Sequence, residues 1–364
     1  FRTRASCQHC GGGRGEKFPV HLSFTEIRKP TSMKFHLRSL IATVFSITAG
    51  ITIAVFIVRM VGVKEFVAHA RITDWRFAAV GFLLYAAVNM MRAWRFSLLL
   101  GGRMLIQKIV PIVAIQNVLN LVLPFRAGEF SYVHMAHRAG IAIGGAVASL
   151  AVARAYDFMS AALLFFIAAM WVLGAGNAAV IAWYAVPFAA FSIGIIFLMS
   201  ARRRWRVYLG GRFIRAGSRA REKNQKILAW LAATAGEFFM EGARLGSGAH
   251  FAVVVISFVL WVINFMIGFL LLRAAGVEIG IAGSMTAYGF PIFAVSAIPL
   301  PITGGFGVYE GSAAFGLMLI GIAREIAVRS ALILHLQEQV FVVVFLIFVY
   351  GALLLFRGLR FYGK

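Results

Sequence analysis

Acidic residues are scarce in this 364-residue chain, where 13 Asp and Glu stand against 36 Lys and Arg, and charged residues make up only 13% of the whole. Soluble domains carry about 25% charged residues, so a chain of this length could not cover its surface in water. Hydrophobic residues make up 61%, and several apolar runs exceed the roughly 18 residues that a membrane-spanning helix needs. Because long, non-alternating apolar runs form helices in lipid, the composition predicts an all-α polytopic membrane protein.

Cysteine is almost absent, with only Cys7 and Cys10 in the chain. One pair supplies at most half of a four-ligand zinc site, so we predict no metal site and no cofactor. Residues 1–32 lack the apolar core of a signal peptide, whereas basic residues and then an apolar run follow Met33. We therefore expect residues 1–32 to be a disordered or misassigned leader and residues 33–364 to form a single transmembrane domain.

Two kinds of apolar segment alternate along that domain. Six uninterrupted runs are expected to be full spans, at residues 40–58, 77–91, 146–173, 178–199, 251–272 and 330–356. Two further segments, 105–140 and 291–322, are broken by proline, glycine and charge. Broken backbone at membrane depth is tolerated only where protein or water surrounds it. We therefore expect two re-entrant helical hairpins, which gives about eight membrane segments.

Basic residues cluster between these segments, most densely in the loop 201–226, and the amphipathic stretch 224–245 predicts a helix in the membrane interface. The motif Arg92-Ala-Trp94-Arg95 is typical of an interfacial anchor. If the basic loop is cytoplasmic, as the positive-inside rule requires, both termini are cytoplasmic and the hairpins have opposite orientations. This is the arrangement of inverted-topology repeats, although the halves share no recognisable sequence identity. The partners expected for the basic residues are anionic lipid headgroups, not nucleic acid.

The first candidate site combines charges from the first hairpin and the following span. A charge at mid-bilayer costs at least about 2.5–3.5 kcal/mol on insertion scales, so it faces a partner or a water-filled cavity. Arg126 and Glu129 lie three residues apart, and we interpret them either as headgroup ligands or as a structural ion pair. Arg154 and Asp157 also lie three residues apart on one helix face and can pair directly.

The second candidate site is the glycine-rich turn of the second hairpin. Gly304, Gly305 and Gly307 would expose backbone N–H groups at a helix start, which is a natural anion site. The alternative is that these glycines only allow close helix packing. Glu310 is expected to pair with Arg126 or to carry a proton. Further along, Asn264, His335 and Glu338 could extend a polar path through the spans.

The order and spacing of these motifs resemble the flippase-like family, which is also called the lysylphosphatidylglycerol synthase transmembrane region. The resemblance covers residues 36–358 and rests on three motifs: Asn117-x-x-Asn120-x-x-x-Pro124-x-Arg126-x-Gly128-Glu129, then Arg154-x-x-Asp157, then Pro299-x-Pro301-x-x-Gly304-Gly305-x-Gly307-x-x-Glu310. It implies a bacterial cytoplasmic (inner) membrane protein that moves a polar lipid, anionic or modified in its headgroup, between leaflets. Asn120 then joins the substrate-binding residues. Val152 and Ala153 depart from the charged residues that the family often has there.

Two other classes of function stay open. One is an intramembrane enzyme of lipid-linked glycosyl or phosphoryl transfer, with Glu129, Asp157 or Glu310 as base. The other is a non-catalytic membrane subunit that recruits a lipid-modifying enzyme through the basic loop 201–226. The sequence has no nucleotide-binding loop and no hydrolase motif, so a transporter is favoured over an enzyme and no catalytic residue is predicted.

Overall fold

A computed structural model describes residues 74–123, 127–174, 176, 178–200, 203–222, 224–242, 247–297 and 305–362. The expected leader, the first expected span and two candidate residues, Arg126 and Gly304, lie outside the described residues. Eleven α-helices and no strand occur within them: α1 (Trp75–Leu99), α2 (Ile106–Val122), α3 (Gly128–Arg138), α4 (Ile143–Leu173), α5 (Ala178–Ser200), α6 (Arg203–Glu222), α7 (Lys226–Gly242), α8 (Ser247–Ala274), α9 (Ile281–Ala297), α10 (Val308–Leu319) and α11 (Arg324–Tyr362).

Four of these helices are long and apolar enough to cross a membrane, at Trp75–Leu99, Ile143–Leu173, Gly248–Ala274 and Arg324–Leu354. They coincide with four of the runs expected to be spans, near residues 77–91, 146–173, 251–272 and 330–356. The chain is therefore a multi-pass helical membrane protein. The run expected at 178–199 forms the 23-residue helix α5, which contains Pro187.

The basic stretch expected to be a loop forms the helix α6 over Arg203–Glu222. α6 packs along α7, and α7 exposes Ile227 and Trp230, as an interfacial helix would. α7 also packs on α4, where the Gly144 N–H donates to Glu237 Oε2 over 2.8 Å. Glu237, which the helical pattern places away from the apolar face, therefore ties α7 to the start of α4.

The helix order long, short, short, long occurs twice, in a first half (residues 75–173, α1 to α4) and a second half (residues 247–362, α8 to α11). The first short helix has 17 residues in both halves, and the second has 11 in one and 12 in the other. The first short helix of each half packs on the last long helix of the other half, α2 on α11 and α9 on α4. This exchange is the packing expected of two related repeats.

Proline and glycine set the ends of the short helices. α2 ends at Val122, and the next residue, Leu123, has the extended backbone (ψ 138°) that a residue before proline prefers. In the second half, Gly305 and Gly307 have φ of 75° and 83°, which glycine adopts without strain, and α10 starts at the next residue, Val308. The two short helices of each half also pack on each other, α2 on α3 and α9 on α10, so each pair is a helical hairpin.

Candidate functional site

A cavity of about 370 Å³ lies between the two hairpins and the long helices. This volume falls within the range of small-ligand pockets, about 300–1,000 Å³. Both hairpins and all four long helices contribute to its wall, and its polar lining residues are Tyr85, Arg92, Asn117, Asn120, Arg154, Asp157, Trp261, Asn264, Tyr288, Ser296, Tyr309, His335, Glu338 and Gln339. The apolar residues of the wall include Leu121, Ile267 and Val295. A polar ligand with an apolar portion would find both surfaces here.

Asp157 is the centre of a buried charge cluster in the first half. Arg95 donates to both of its oxygens, over 2.6 and 2.9 Å, and also to Ser257 Oγ over 2.8 Å. Trp261 Nε1 donates to Asp157 Oδ1 over 3.1 Å. Arg95 and Asp157 are only 2% and 5% exposed. Because a bidentate guanidinium–carboxylate pair is strong and directional, this cluster fixes α1, α4 and α8 to one another.

Arg154 takes a different principal partner from the one that its spacing suggests. Its Nη2 lies 2.8 Å from Glu129 Oε1 on α3, whereas its Nη1 lies 3.6 Å from Asp157 Oδ2. The direct Arg154–Asp157 pair is therefore present but secondary to the contact with the hairpin. Glu129 therefore connects the second arm of the first hairpin to α4, whereas its predicted relation to Arg126 lies outside the described residues.

Glu310 makes the corresponding contact in the second half. Its Oε1 lies 2.6 Å from His335 Nδ1 on α11, and its Oε2 accepts from the Gly307 N–H over 2.6 Å. The expectation of an open anion site at this helix start is therefore wrong for Gly307, because the carboxylate of the same turn already occupies its N–H. The His335 ring stacks on Tyr309, with centroids 4.1 Å apart.

A second acid follows three residues after the cation in each half. Glu338 Oε1 accepts from the Tyr288 hydroxyl over 2.5 Å, as Asp157 accepts from Arg95 in the first half. His335 Nε2 lies 2.6 Å from Gln339 Nε2. The acid–cation partners are 25 residues apart in both halves, so the set Glu129, Arg154, Asp157 corresponds to the set Glu310, His335, Glu338.

The correspondence extends to the first long helices. Asn89 of α1 donates its amide to the carbonyl oxygen four residues earlier, Tyr85 O, and Asn264 of α8 does the same to Leu260 O. The two halves thus share a polar layout as well as a helix order. The spacing of acid, basic residue and second acid is visible in the sequence and could have revealed the repeat before the structure did.

The structure brings together most of the residues selected from the sequence. Asn120, Arg154, Asp157 and Gly305 line the cavity, as do Asn264, His335 and Glu338. Glu129 and Glu310 do not line the cavity themselves but contact Arg154 and His335, which do. Gly307 lies in the turn before α10.

Two arginines of α1 were misinterpreted as an interfacial anchor. Arg95 is buried against Asp157, and Arg92 lines the cavity, whereas Trp94 between them is 48% exposed. The signal was the apolar run that follows Arg95, because α1 continues to Leu99 and so carries both arginines within the span. Tyr85 and Tyr288, which no motif indicated, also line the cavity.

Comparison with known proteins identifies the family. The family model described as "Lysylphosphatidylglycerol synthase TM region" matches residues 39–357, so the chain belongs to that family, as the motif order indicates. No curated protein matches the chain, and no solved structure matches it.

Proposed function

We propose that this member of the lysylphosphatidylglycerol synthase TM region family is a lipid translocase of the bacterial cytoplasmic membrane. The observation that supports it most is the cavity between the two hairpins, which is lined by charge and by apolar side chains. A lipid headgroup has no stable place in a hydrocarbon layer, because an unsatisfied polar group costs several kcal/mol there. A cavity between two hairpins, lined by polar and charged side chains, offers hydrogen-bond partners that would offset this cost while the headgroup crosses.

The two acid–cation pairs suggest how such a path would open and close. Glu129–Arg154 holds the second arm of the first hairpin against α4, and Glu310–His335 holds the second arm of the second hairpin against α11. Inverted repeats place two such hairpins on opposite sides of the membrane. In our proposal the headgroup enters past one hairpin, rests in the cavity and leaves past the other, and Asn120, Arg126, Gly304 and Gly305 contribute to its binding.

The proposed orientation follows from the basic helix α6, whose arginine-rich sequence belongs on the cytoplasmic side by the positive-inside rule. Both chain termini are then cytoplasmic. α6 and α7 would lie on the inner leaflet, where anionic headgroups attract each nearby basic side chain by about 1 kcal/mol. The same surface is where a lipid-modifying enzyme could deliver its product.

Leaflet exchange in proteoliposomes tests the proposal. Vesicles of native lipid extract would carry a labelled lipid, and the exposed label would be quenched from outside over time. We expect faster exchange with wild-type protein than with empty vesicles or with Glu310→Gln, which loses the charged contact to His335. Arg76→Gln is the matched control, because Arg76 is an exposed residue of α1 outside the cavity. Equal exchange in all vesicles, with every variant folded and inserted, would refute translocation.

A further inference from the structure

Arg92 differs from the other arginines of the cavity wall. Arg95 and Arg154 each contact a carboxylate within 3 Å. Within the part of the chain that the structure describes, Arg92 has no hydrogen bond and no ion pair, although its side chain lines both the main cavity and the small pocket beside Arg95. An arginine inside a membrane span normally has a partner, so the absence of one here requires an explanation.

The carboxylates around Arg92 are already engaged by other groups. Asp157 is held by Arg95 and Trp261, Glu129 lies on Arg154, and Glu338 accepts from the Tyr288 hydroxyl. None of these three carboxylates forms an ion pair with Arg92, so a bound group with a negative charge would supply the partner that this arginine lacks.

A hydroxyl donor lies on the same wall as Arg92. Asn117 Nδ2 donates to the Tyr85 hydroxyl over 3.2 Å and to Asn89 Oδ1 over 2.8 Å. The Tyr85 oxygen is thus used as an acceptor, and its own proton remains available, because a phenol has one donor besides its lone pairs. Tyr85 and Arg92 are seven residues apart on α1, which places them two turns apart on one helix face.

We propose that Arg92 and the Tyr85 hydroxyl bind a monoanionic phosphodiester, the group that links a phospholipid headgroup to its glycerol. A guanidinium binds phosphate oxygens through two parallel N–H bonds, and a phosphodiester carries a negative charge that can pair with Arg92. The nearby apolar wall, which includes Leu121 and Ile267, suits the glycerol and the first methylenes of the acyl chains. The inference rests on the proposed function only in taking this cavity as the lipid site.

Equilibrium binding in maltoside micelles, which contain no phosphate, tests the inference directly. The ligands are phosphatidylglycerol with a fluorescent tail and a diacylglycerol glucoside with the same tail, which is uncharged. We expect Arg92→Gln to weaken phosphatidylglycerol binding roughly ten- to hundredfold, as for loss of a charged hydrogen-bond partner, and to leave glucoside binding unchanged. Tyr85→Phe should weaken phosphatidylglycerol binding a few-fold, and Arg76→Gln should have no effect.

A competition experiment identifies the source of the phosphodiester. If added glycerophosphodiester does not displace the fluorescent lipid, the site recognises the group only as part of a lipid. If it displaces the lipid at equal concentration, the ligand is a soluble phosphodiester of the same chemistry. Thermal unfolding without lipid adds a second readout, because removal of an unpaired cation by Arg92→Gln should leave Tm equal or higher.

Three results would overturn the inference. Wild-type affinity of Arg92→Gln for phosphatidylglycerol would show that Arg92 does not bind the lipid. An equal loss of affinity for both lipids, or a variant with a lower Tm or no stable fold, would make Arg92 a structural residue. The proposed function fails separately from this inference. Phosphatidylglycerol binding that depends on Arg92, without leaflet exchange, would refute translocation and support the binding site. Leaflet exchange that is equal in wild type and Arg92→Gln would support translocation and refute the binding site.

Discussion

The two halves of the molecule share one polar layout but differ in its chemistry. The first half uses arginine and aspartate, with Arg95 buried against Asp157 and Arg154 against Glu129. In the second half His335 contacts Glu310, and Tyr288 of α9 donates to Glu338. A guanidinium forms charged and often bidentate contacts with a carboxylate, whereas a phenol donates a single neutral hydrogen bond. The first half is therefore held by guanidinium–carboxylate contacts, and the second by contacts of carboxylates with an imidazole and a phenol.

The largest expected effect is loss of the buried carboxylate of the first half. Asp157→Asn removes the charge that two guanidinium groups face, and breaking a buried ion pair from one side costs about 3–5 kcal/mol. Glu338→Gln, the equivalent change in the second half, keeps an amide oxygen that can accept from the Tyr288 hydroxyl and should cost only about 0.5–1.5 kcal/mol. Thermal unfolding followed by fluorescence-detected size exclusion compares the two. Equal losses would contradict the difference between the halves.

A second comparison concerns how closely the arms of each hairpin approach. A Cβ at Gly128 would collide with the backbone N of Asn120 and would lie 2.7 Å from Gln116 O, whereas one at Gly311 meets nothing within 4 Å. Gly128→Ala should therefore destabilise the protein by about 1–3 kcal/mol. Gly311→Ala, on the second arm of the other hairpin, should be neutral or stabilise α10 by about 0.5–1 kcal/mol. The same unfolding assay checks both, and a stable Gly128→Ala variant would mean that the arms can separate freely.

The third effect is on access to the second hairpin. Glu310→Gln weakens the contact to His335 and the acceptor for the Gly307 N–H, so this hairpin should open more often. In a background with Cys7 and Cys10 changed to Ser, a cysteine at Ser312 would report opening through its rate of reaction with a membrane-impermeant maleimide. We expect a several-fold faster reaction in Glu310→Gln and little change in Glu129→Gln, which acts on the other hairpin. Equal acceleration in both would show that the hairpins open together.

Sequence reasoning predicted the helical class, the four long apolar helices and the breaks within the two shorter segments, because long apolar runs and proline or glycine breaks are local signals. It also selected Asn120, Arg154 and Asp157, which line the cavity. It predicted the Arg154–Asp157 pair, which is present at 3.6 Å, but not the shorter contact of Arg154 with Glu129, because i, i+3 spacing shows only which residues on one helix can meet. The shortest charged contacts of Arg154 and Asp157 are made with other helices, to residues 25 or more positions away. Tertiary packing alone decides those contacts.

The smallest expected effect concerns the basic residue of each acid–cation pair. His335 offers Glu310 one ring nitrogen, Nδ1, whereas a guanidinium can offer a carboxylate two parallel N–H bonds. His335→Arg copies the first half, so it should hold the second hairpin more firmly and slow the maleimide reaction of a cysteine at Ser312 by a few-fold. Arg154→His should leave that reaction unchanged, because it acts on the other hairpin. A faster reaction in His335→Arg would show that the stacking of the ring on Tyr309, and not the contact with Glu310, holds this hairpin.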